Sequence, residues 1–242
     1  MRPPRERHLD WEGAFNVRDL GGLPTLDGRF TRWGAIVRSD SLGELTEAGW
    51  SALVTHGVRT VIDLRNPGER GADAAARPTS ITTVQLPLDA AQDREFWSAW
   101  EDDPGFGTPM YYRPHVERFP ERSAHVIAAV ARAKPGGVAV HCVAGRDRTG
   151  QITMLLLALL RVVPQHIADD YQLSASRLAG WFAARGEPDY GPAFAAFLAA
   201  RGTTARELVI ATLAELDVEG QLLEAGLEAD GLTRLRERAL EG

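Results

Sequence analysis

The stretch "GVAVHCVAGRDRTG", residues 137–150, decides the predicted fold of this chain. It opens with small and β-branched apolar residues, a composition that is typical of a buried strand. A glycine-containing turn follows Cys142, and an apolar helical pattern begins near Thr149. A strand, a tight turn and a helix in this order form the repeating unit of a parallel sheet with crossover helices.

Other short apolar runs extend this pattern, and they predict further strands over 35–39, 59–64 and 82–88. A helix is expected between the first two of these strands, with Thr46 as its N-cap and Gly57 at its C-terminal end. We therefore predict an α/β fold in which helices flank a mostly parallel central sheet.

The remaining patterns are helical or irregular. Helices are predicted over 119–133 and 149–163, and the part from 165 to 242 is expected to be helical throughout. The stretch 90–118 mixes aromatic and charged residues without a clean period, so we interpret it as a lid-like insertion. No repeat or low-complexity linker interrupts the chain, and we expect 1–242 to form a single domain.

Bulk composition excludes several classes of protein. The chain has 242 residues, of which 44% are hydrophobic and 25% charged, as in an ordinary globular protein. A formal net charge of −6 disfavours nucleic acid as a partner.

The apolar run 152–160 is too short to insert stably in a membrane. The first ten residues lack the apolar core of a signal peptide, so a cytoplasmic location is expected, and secretion without a signal peptide stays open. The oligomeric state stays open as well.

The only cysteine of the chain, Cys142, lies where the predicted strand turns into the helix. Backbone N–H groups of such a turn, together with the helix N-terminus, surround a small volume that suits a phosphate dianion and favours a thiolate. Cys142 is therefore the predicted nucleophile, and Arg148 can bind phosphate oxygens through two parallel hydrogen bonds. The predicted phosphate-binding residues are Val143, Ala144, Gly145, Arg146, Asp147, Arg148 and Thr149.

The spacing Cys-x5-Arg within "HCVAGRDRTG" resembles the signature of the cysteine-dependent protein tyrosine phosphatase superfamily. More narrowly, it resembles the bacterial tyrosine phosphatase B-like family, whose loop reads HCxxGKDRTG. Similar stretches are "FNVRDLGGLPT" (15–25), "IVRSDSL" (36–42), "VIDLRNPGE" (61–69) and "DDYQLS" (169–174). The resemblance implies a phosphatase that needs no metal and no cofactor and that works through a phosphocysteine intermediate on Cys142.

The proton donor for the leaving group stays open between two aspartates. The chain has no Trp-Pro-Asp triplet, which many relatives use for this step. Asp147 lies inside the loop and is favoured by the resemblance, whereas Asp89 follows a strand end and opens the proposed lid.

Other polar residues sit at strand ends, which converge on one edge of a parallel sheet. They are expected to orient the loop from behind, and they are His141, Arg18, Asp19, Arg38, Asp63 and Arg65. Tyr111 and Tyr112 are expected to line the pocket or to dock the insertion. The six histidines are scattered without the spacing of metal ligands, so no metal site is predicted.

The expected substrate is a phosphorylated protein or a small phosphomonoester, and the leading hypothesis is a protein tyrosine phosphatase of loose specificity. Alternatives are a small-molecule phosphatase, a phosphoinositide phosphatase, a phosphate-binding module without turnover and a sulfurtransferase. Arg146 stands where the family usually has lysine, and it differs from lysine in shape and hydration, so activity on phosphoinositides stays open.

Overall fold

The four predicted strands and one short strand that was not predicted, Arg18–Asp19, form a five-stranded sheet in the computed structural model, which describes residues 6–242. Residues 1–5, the beginning of the stretch predicted to lack a signal peptide, lie outside this range. The strands are β1 (Arg18–Asp19), β2 (Ile36–Ser39), β3 (Val58–Asp63), β4 (Thr82–Gln85) and β5 (Gly137–His141). Their order in the sheet is β1-β2-β5-β3-β4, and only the β1–β2 pair is antiparallel. The predicted α/β fold with a mostly parallel sheet is confirmed.

Helices cover both faces of this sheet. They are α1 (Glu47–His56), α2 (Arg94–Ser98), α3 (Tyr112–Arg118), α4 (Pro120–Arg132), α5 (Asp147–Leu159), α6 (Pro164–Arg185), α7 (Gly191–Ala199), α8 (Ala205–Glu215), α9 (Val218–Glu224) and α10 (Ala229–Ala239). Short 3-10 turns lie at Leu42–Glu44, Pro67–Glu69 and Pro109–Tyr111.

The central strand β5 shows why the sheet needs helices on both sides. Val138 and Val140 belong to the larger core with α4 and α5, whereas Ala139 belongs to the smaller core with α1. Successive side chains of a strand point to opposite faces, so a strand that is apolar at every position is stable only when both faces are covered.

The capping residues in the sequence correctly predicted both ends of the helix that follows β2. Helix α1 has Thr46 as its N-cap and ends at Gly57 in the left-handed conformation, as predicted. Helix α5 begins at Asp147, two residues before the predicted start, and ends at Leu159 instead of Val163. Its early start brings Asp147 and Arg148 into the first helical turn, where the macrodipole favours anions.

The insertion 90–118 contains α2, the 3-10 turn Pro109–Tyr111 and all of α3. Aromatic rings hold it together through mostly edge-to-face contacts, such as Trp97 with Phe106 at 5.7 Å between centroids. Tyr112 anchors it to the rest of the chain, because its hydroxyl donates to the carbonyls of Arg146 (3.2 Å) and Asp147 (2.9 Å). Movement of this segment as a lid stays a prediction.

None of the helices described between residues 6 and 242 combines the length and the apolar character needed to cross a membrane. The apolar run 152–160 forms most of α5, and its side chains are largely buried against the sheet and neighbouring helices.

The predicted role of Thr46 as the N-cap of α1 can be tested by substitution. The Thr46 hydroxyl accepts the amide proton of Gly49 at 3.2 Å. We expect Thr46→Ala to lower the free energy of unfolding by about 1 kcal/mol in urea titrations, because a helix N–H then lacks its partner. Thr46→Ser should keep most of the stability, and an equal loss in both variants would contradict the capping role.

Candidate active site

The loop after β5 lies at the edge of the sheet where the parallel strands end. Strands β2, β3 and β5 end at Ser39, Asp63 and His141, and Cys142 follows directly and is 3% exposed. Ligand sites of open parallel sheets lie at this edge, outside the carboxyl ends of the strands. The topology thus brings the polar strand-end residues of the sequence toward the single thiol.

The peptide carbonyls of residues 143–147 all accept hydrogen bonds from the surrounding scaffold. The donors are Ser41 N–H to Val143 (2.8 Å), Asn16 Nδ2 to Ala144 (3.0 Å), Arg38 Nη2 to Gly145 (2.7 Å), Gly150 N–H to Arg146 (2.8 Å) and Tyr112 Oη to Asp147 (2.9 Å). A planar trans peptide points its N–H away from its carbonyl, so these contacts turn the N–H groups to the inside of the loop. Within residues 6–242, no acceptor takes the N–H groups of positions 143–146. The loop is therefore a nest that suits an anion.

Gly145 is required at the centre of this loop. Its φ is +67°, and a Cβ at this position would lie 2.5 Å from the Asp40 nitrogen and from the Ser39 oxygen. Asp40 in turn accepts the N–H groups of Phe15 and Asn16, which fixes the segment whose Asn16 side chain binds the loop. Any side chain at position 145 would push the loop away from β2.

Asp170 on α6 connects the arginines behind the loop. Its carboxylate, which is fully buried, accepts hydrogen bonds from Arg7 (2.8 Å), Arg18 (2.9 Å) and Arg38 (2.8 Å). Arg18 also donates to Asn16 at 2.6 Å, so two of the groups that bind loop carbonyls depend on Asp170. Burial alone would raise the pKa of Asp170, but the three arginines hold this pKa well below its ordinary value. Burial and neighbouring Arg38 lower the pKa of Arg18 to about 9, which leaves it charged at neutral pH.

His141, Asp63 and Arg65 support the loop from the β3 side. His141 Nδ1 is 3.1 Å from the Cys142 carbonyl, and its Nε2 is 3.8 Å from Asp63. Burial lowers the pKa of His141 to about 4, so the ring is neutral at neutral pH. Arg65 binds Asp63 through two hydrogen bonds and donates to the Ser41 hydroxyl at 3.0 Å, next to the Ser41 N–H that holds the loop.

The expectation that Asp19 orients the loop is wrong. Its carboxylate accepts the N–H groups of Gly21 and Gly34 and a hydrogen bond with His56, each at 2.8 Å. Because β1 runs antiparallel to β2, Arg18 lies opposite Arg38, whereas Asp19 pairs with Val37 one step closer to the start of β2. Asp19 therefore stabilises the opposite end of the sheet.

Arg148 is held by two carboxylates. Glu69 accepts from both of its terminal nitrogens, at 2.5 and 2.6 Å, and Asp89 lies 3.2 Å from one of them. Asn66 connects these acids, because its side chain donates to Asp89 (2.8 Å) and its backbone N–H donates to Glu69 (2.7 Å). Burial raises the pKa of Asp89 above its ordinary value, although Arg148 and Asn66 oppose the shift. A guanidinium has five N–H donors, so Arg148 keeps donors for an anion while Glu69 holds it.

Asp147 and Arg146 bind each other at the start of α5. The Arg146 guanidinium lies 3.2 and 3.5 Å from the two oxygens of Asp147. The ring of Phe194 from α7 covers it, with 4.8 Å between the guanidinium carbon and the ring centroid. A mostly apolar cavity of about 270 Å³ lies beside this pair.

Thr149 lies inside α5 and is not its N-cap. Helix α5 begins at Asp147, so Thr149 is its third residue, and the N-cap is Arg146. The Thr149 hydroxyl is buried and has no hydrogen-bond partner among the described residues.

Sequence reasoning did not single out four residues that hold this site, namely Asn16, Asn66, Glu69 and Asp170. All four lie within the stretches that carry the family resemblance, so their position in the sequence was available as a signal. Their roles depend on partners that are far away along the chain, such as Arg148 for Glu69. Among residues 6–242, no group of three or more histidine, cysteine or acidic side chains could hold a metal ion.

Comparison with known proteins identifies the family. A model described as the tyrosine phosphatase family matches residues 9–241. The chain belongs to the tyrosine phosphatase family. The resemblance predicted from "HCVAGRDRTG" and its companion stretches is thereby confirmed.

Three relatives illustrate how far this family member resembles known proteins. A Cupriavidus necator protein whose name contains the term tyrosine-protein phosphatase is 33% identical over 72% of this chain. A tyrosine-protein phosphatase of Nostoc commune is 32% identical over 60% of this chain. The triple specificity protein phosphatase PtpB of Mycobacterium tuberculosis is 26% identical over 93% of this chain and 96% of its own length.

The match covers 65% of the Cupriavidus necator protein and 50% of the Nostoc commune protein. This family member therefore spans about two thirds of the length of the first relative and half of the length of the second. Among solved structures, Pseudomonas aeruginosa TpbA in complex with pTyr aligns with a TM-score of 0.39 and 15% identity, over 83% of this chain and 91% of that one.

The central role of Asp170 can be tested on stability. We expect Asp170→Asn to lower the free energy of unfolding by about 3–5 kcal/mol, because the buried arginines lose their counter-charge. The difference from the wild type should be present at neutral pH and should shrink as the pH falls below 3.8, the ordinary pKa of the carboxyl group.

A neighbouring residue gives the matched control for this measurement. Asp169 is half-exposed and pairs with Arg206 on the surface. Asp169→Asn should change stability by no more than about 0.5 kcal/mol. Similar losses in the two variants would refute the special role of Asp170.

Proposed function

We propose that this chain is a cysteine-dependent phosphomonoester hydrolase that acts on phosphotyrosine in proteins. The observation that carries the proposal is the loop directly after Cys142: the carbonyls of residues 143–147 all accept hydrogen bonds, and no acceptor among residues 6–242 takes the N–H groups of positions 143–146. Membership of the tyrosine phosphatase family supports the same reaction.

In the first step, the Cys142 thiolate attacks phosphorus and the bond from phosphorus to the tyrosine oxygen breaks. Negative charge on the equatorial oxygens is stabilised by the loop N–H groups and by Arg148, which are oriented before the substrate arrives. Glu69 acts as a positioning residue that fixes the plane of the Arg148 guanidinium. In this proposed mechanism protein groups stabilise the charge and no metal ion takes part, in line with membership of the tyrosine phosphatase family.

Asp89 is the proposed general acid for the tyrosine leaving group. Its carboxyl lies beside Arg148, and burial raises its pKa, so a larger fraction carries a proton near neutral pH. Asp147 is the weaker candidate, because its carboxylate is bound to Arg146.

In the second step, a water molecule attacks the phosphocysteine and the bond between sulfur and phosphorus breaks. Asp89, ionised after the first step, accepts a proton from this water. The buried hydroxyl of Thr149 is available to donate a hydrogen bond to the departing thiolate, since it has no other partner among the described residues. Inorganic phosphate and the free enzyme result.

The contacts of Arg146 support a substrate with a single phosphate over a phosphoinositide. Its charge is bound by Asp147 and its face is covered by Phe194, so it offers little to a second phosphate. Two of the relatives carry the term tyrosine-protein phosphatase in their names. A panel of phosphotyrosine peptides, phosphoinositides and small phosphomonoesters would rank these substrates directly.

The nucleophile can be tested with p-nitrophenyl phosphate. Hydrolysis should persist in EDTA, and Cys142→Ser should reduce kcat by a factor on the order of 10⁴ or more, because the nucleophile is lost. Since Cys142 is the only cysteine, alkylation with iodoacetamide should inactivate the enzyme at one label per chain, and phosphate should slow this reaction. Full activity in Cys142→Ser, or a strict metal requirement, would refute the mechanism.

The two candidate acids can be separated by their pH profiles. As the pH rises through the raised pKa of Asp89, this group loses its proton and kcat should fall. Asp89→Asn should remove that decline and reduce kcat for phenyl phosphate by about 10²–10⁴-fold.

The leaving group and the second aspartate serve as controls. The loss in Asp89→Asn should be smaller with p-nitrophenyl phosphate, because p-nitrophenolate departs more easily without a proton. Asp147→Asn should keep the shape of the profile. The opposite pattern would assign the acid to Asp147.

A further inference from the structure

A cavity of about 270 Å³ opens beside Asp89, between the turn that follows β3 and the insertion 90–118. Asn66 and Asp89 form its polar end, and Trp97, Trp100 and Phe106 supply its aromatic walls. We refer to the space enclosed by these five residues as the aromatic groove. Neither the phosphate chemistry nor the proton transfer described above uses its aromatic part.

Packing within the insertion holds the walls of the groove in place. Trp97 donates its indole N–H to the carbonyls of Asp89 (2.8 Å) and Ala90 (3.3 Å). The rings of Trp97 and Phe106 pack edge to face at 5.7 Å, and Trp100 packs edge to face on Tyr111 at 6.0 Å. A binding surface that is already formed costs little ordering entropy when it is occupied.

The groove selects for apolar groups rather than for charge. Apart from Asp89 at the polar end, the charged residues at its border are Arg94 and Glu101. Both are largely exposed and pair with each other at 3.5 Å, so they compensate one another. Phe106 is 47% exposed and presents its ring to the cavity border. Covering exposed aromatic surface of this kind with an apolar group removes both from water, which stabilises the complex.

The groove is continuous with the candidate active site through Asp89. The carboxylate of this residue lies 3.2 Å from Arg148, whereas its backbone carbonyl binds the indole of Trp97 in the groove. A group in the groove is therefore separated from the phosphate-binding guanidinium by the width of one residue. The side chain of a neighbouring residue in a bound peptide fits this separation.

We propose that the aromatic groove binds an apolar side chain, branched or aromatic, that lies within three residues of the phosphotyrosine in a protein substrate. This inference rests on the proposed function, and it adds a sequence preference to it. Phe106 and Trp100 are then specificity-determining residues, which contact the substrate away from the reacting atoms.

The test uses phosphotyrosine peptides that are identical except at one position. Each position from three before to three after the phosphotyrosine carries either leucine or serine, and kcat/KM is measured for each peptide. At one position the wild type should favour leucine over serine by about tenfold, the gain expected from burying one apolar side chain. Phe106→Ser should reduce this leucine-to-serine ratio to near one, and Trp100→Ala should lower it as well.

A matched control comes from an exposed phenylalanine outside the groove. Phe30 is as exposed as Phe106, at 47%, and does not line the groove. Phe30→Ser should keep the wild-type ratio. The ratio is measured within each variant, so general changes in activity or in the folded fraction cancel.

Each remaining outcome has one interpretation. Equal rates for leucine and serine peptides at every position would overturn the inference, as would a preference that survives in both Phe106→Ser and Trp100→Ala. A wild type that hydrolyses p-nitrophenyl phosphate but no phosphopeptide would also overturn it. A wild type that fails on p-nitrophenyl phosphate would instead contradict the proposed function itself.

Discussion

The carboxylate of Asp170 binds three guanidinium groups in the interior, and the shape of the loop around Cys142 depends on this contact. One negative charge faces Arg7, Arg18 and Arg38, so the cluster carries a net charge of about +2 behind the loop. Buried charge of this kind is costly unless it is paired and hydrogen-bonded, and here the remaining donors bind Asn16 and the Gly145 carbonyl. The same contacts that satisfy the arginines turn the loop carbonyls outward. Stability of the interior and affinity for an anion at the loop therefore have one structural origin.

Arg148 connects this rigid scaffold to the chemistry at the opposite side of the loop. Its guanidinium binds Glu69 and lies 3.2 Å from Asp89, and Asn66 holds both acids in place. A phosphate dianion that binds Arg148 adds negative charge next to Asp89, and a like charge favours the protonated form of a carboxyl group. Substrate binding would therefore help to keep the proposed acid protonated until the leaving group needs its proton. Glu69 would keep the guanidinium oriented during this exchange of partners.

Local sequence patterns were sufficient for the parts of the fold that depend on neighbours along the chain. The β5–loop–α5 unit, and α1 with its cap at Thr46, follow from apolar periodicity and from capping chemistry. Long-range pairing was beyond these patterns, because nothing near Asp170 indicates that its partner Arg18 lies 152 residues away. Asp19 shows the same limit of local patterns. Its neighbour in sequence, Arg18, lies opposite Arg38 and supports the loop, whereas the antiparallel register of β1 places Asp19 opposite Val37, where it does not contact the loop.

The arginine at position 146 changes how the two candidate acids compare. A planar guanidinium can bind both oxygens of Asp147 and stack on the Phe194 ring at the same time, and a lysine ammonium cannot reproduce this geometry. The Asp147 carboxylate is therefore engaged with Arg146, whereas Asp89 lies 3.2 Å from Arg148. Burial raises the pKa of Asp89, which favours its protonated form. The guanidinium of Arg146 is thus directed toward Asp147. The proposed proton donor, Asp89, lies on the turn after β4, next to the aromatic groove.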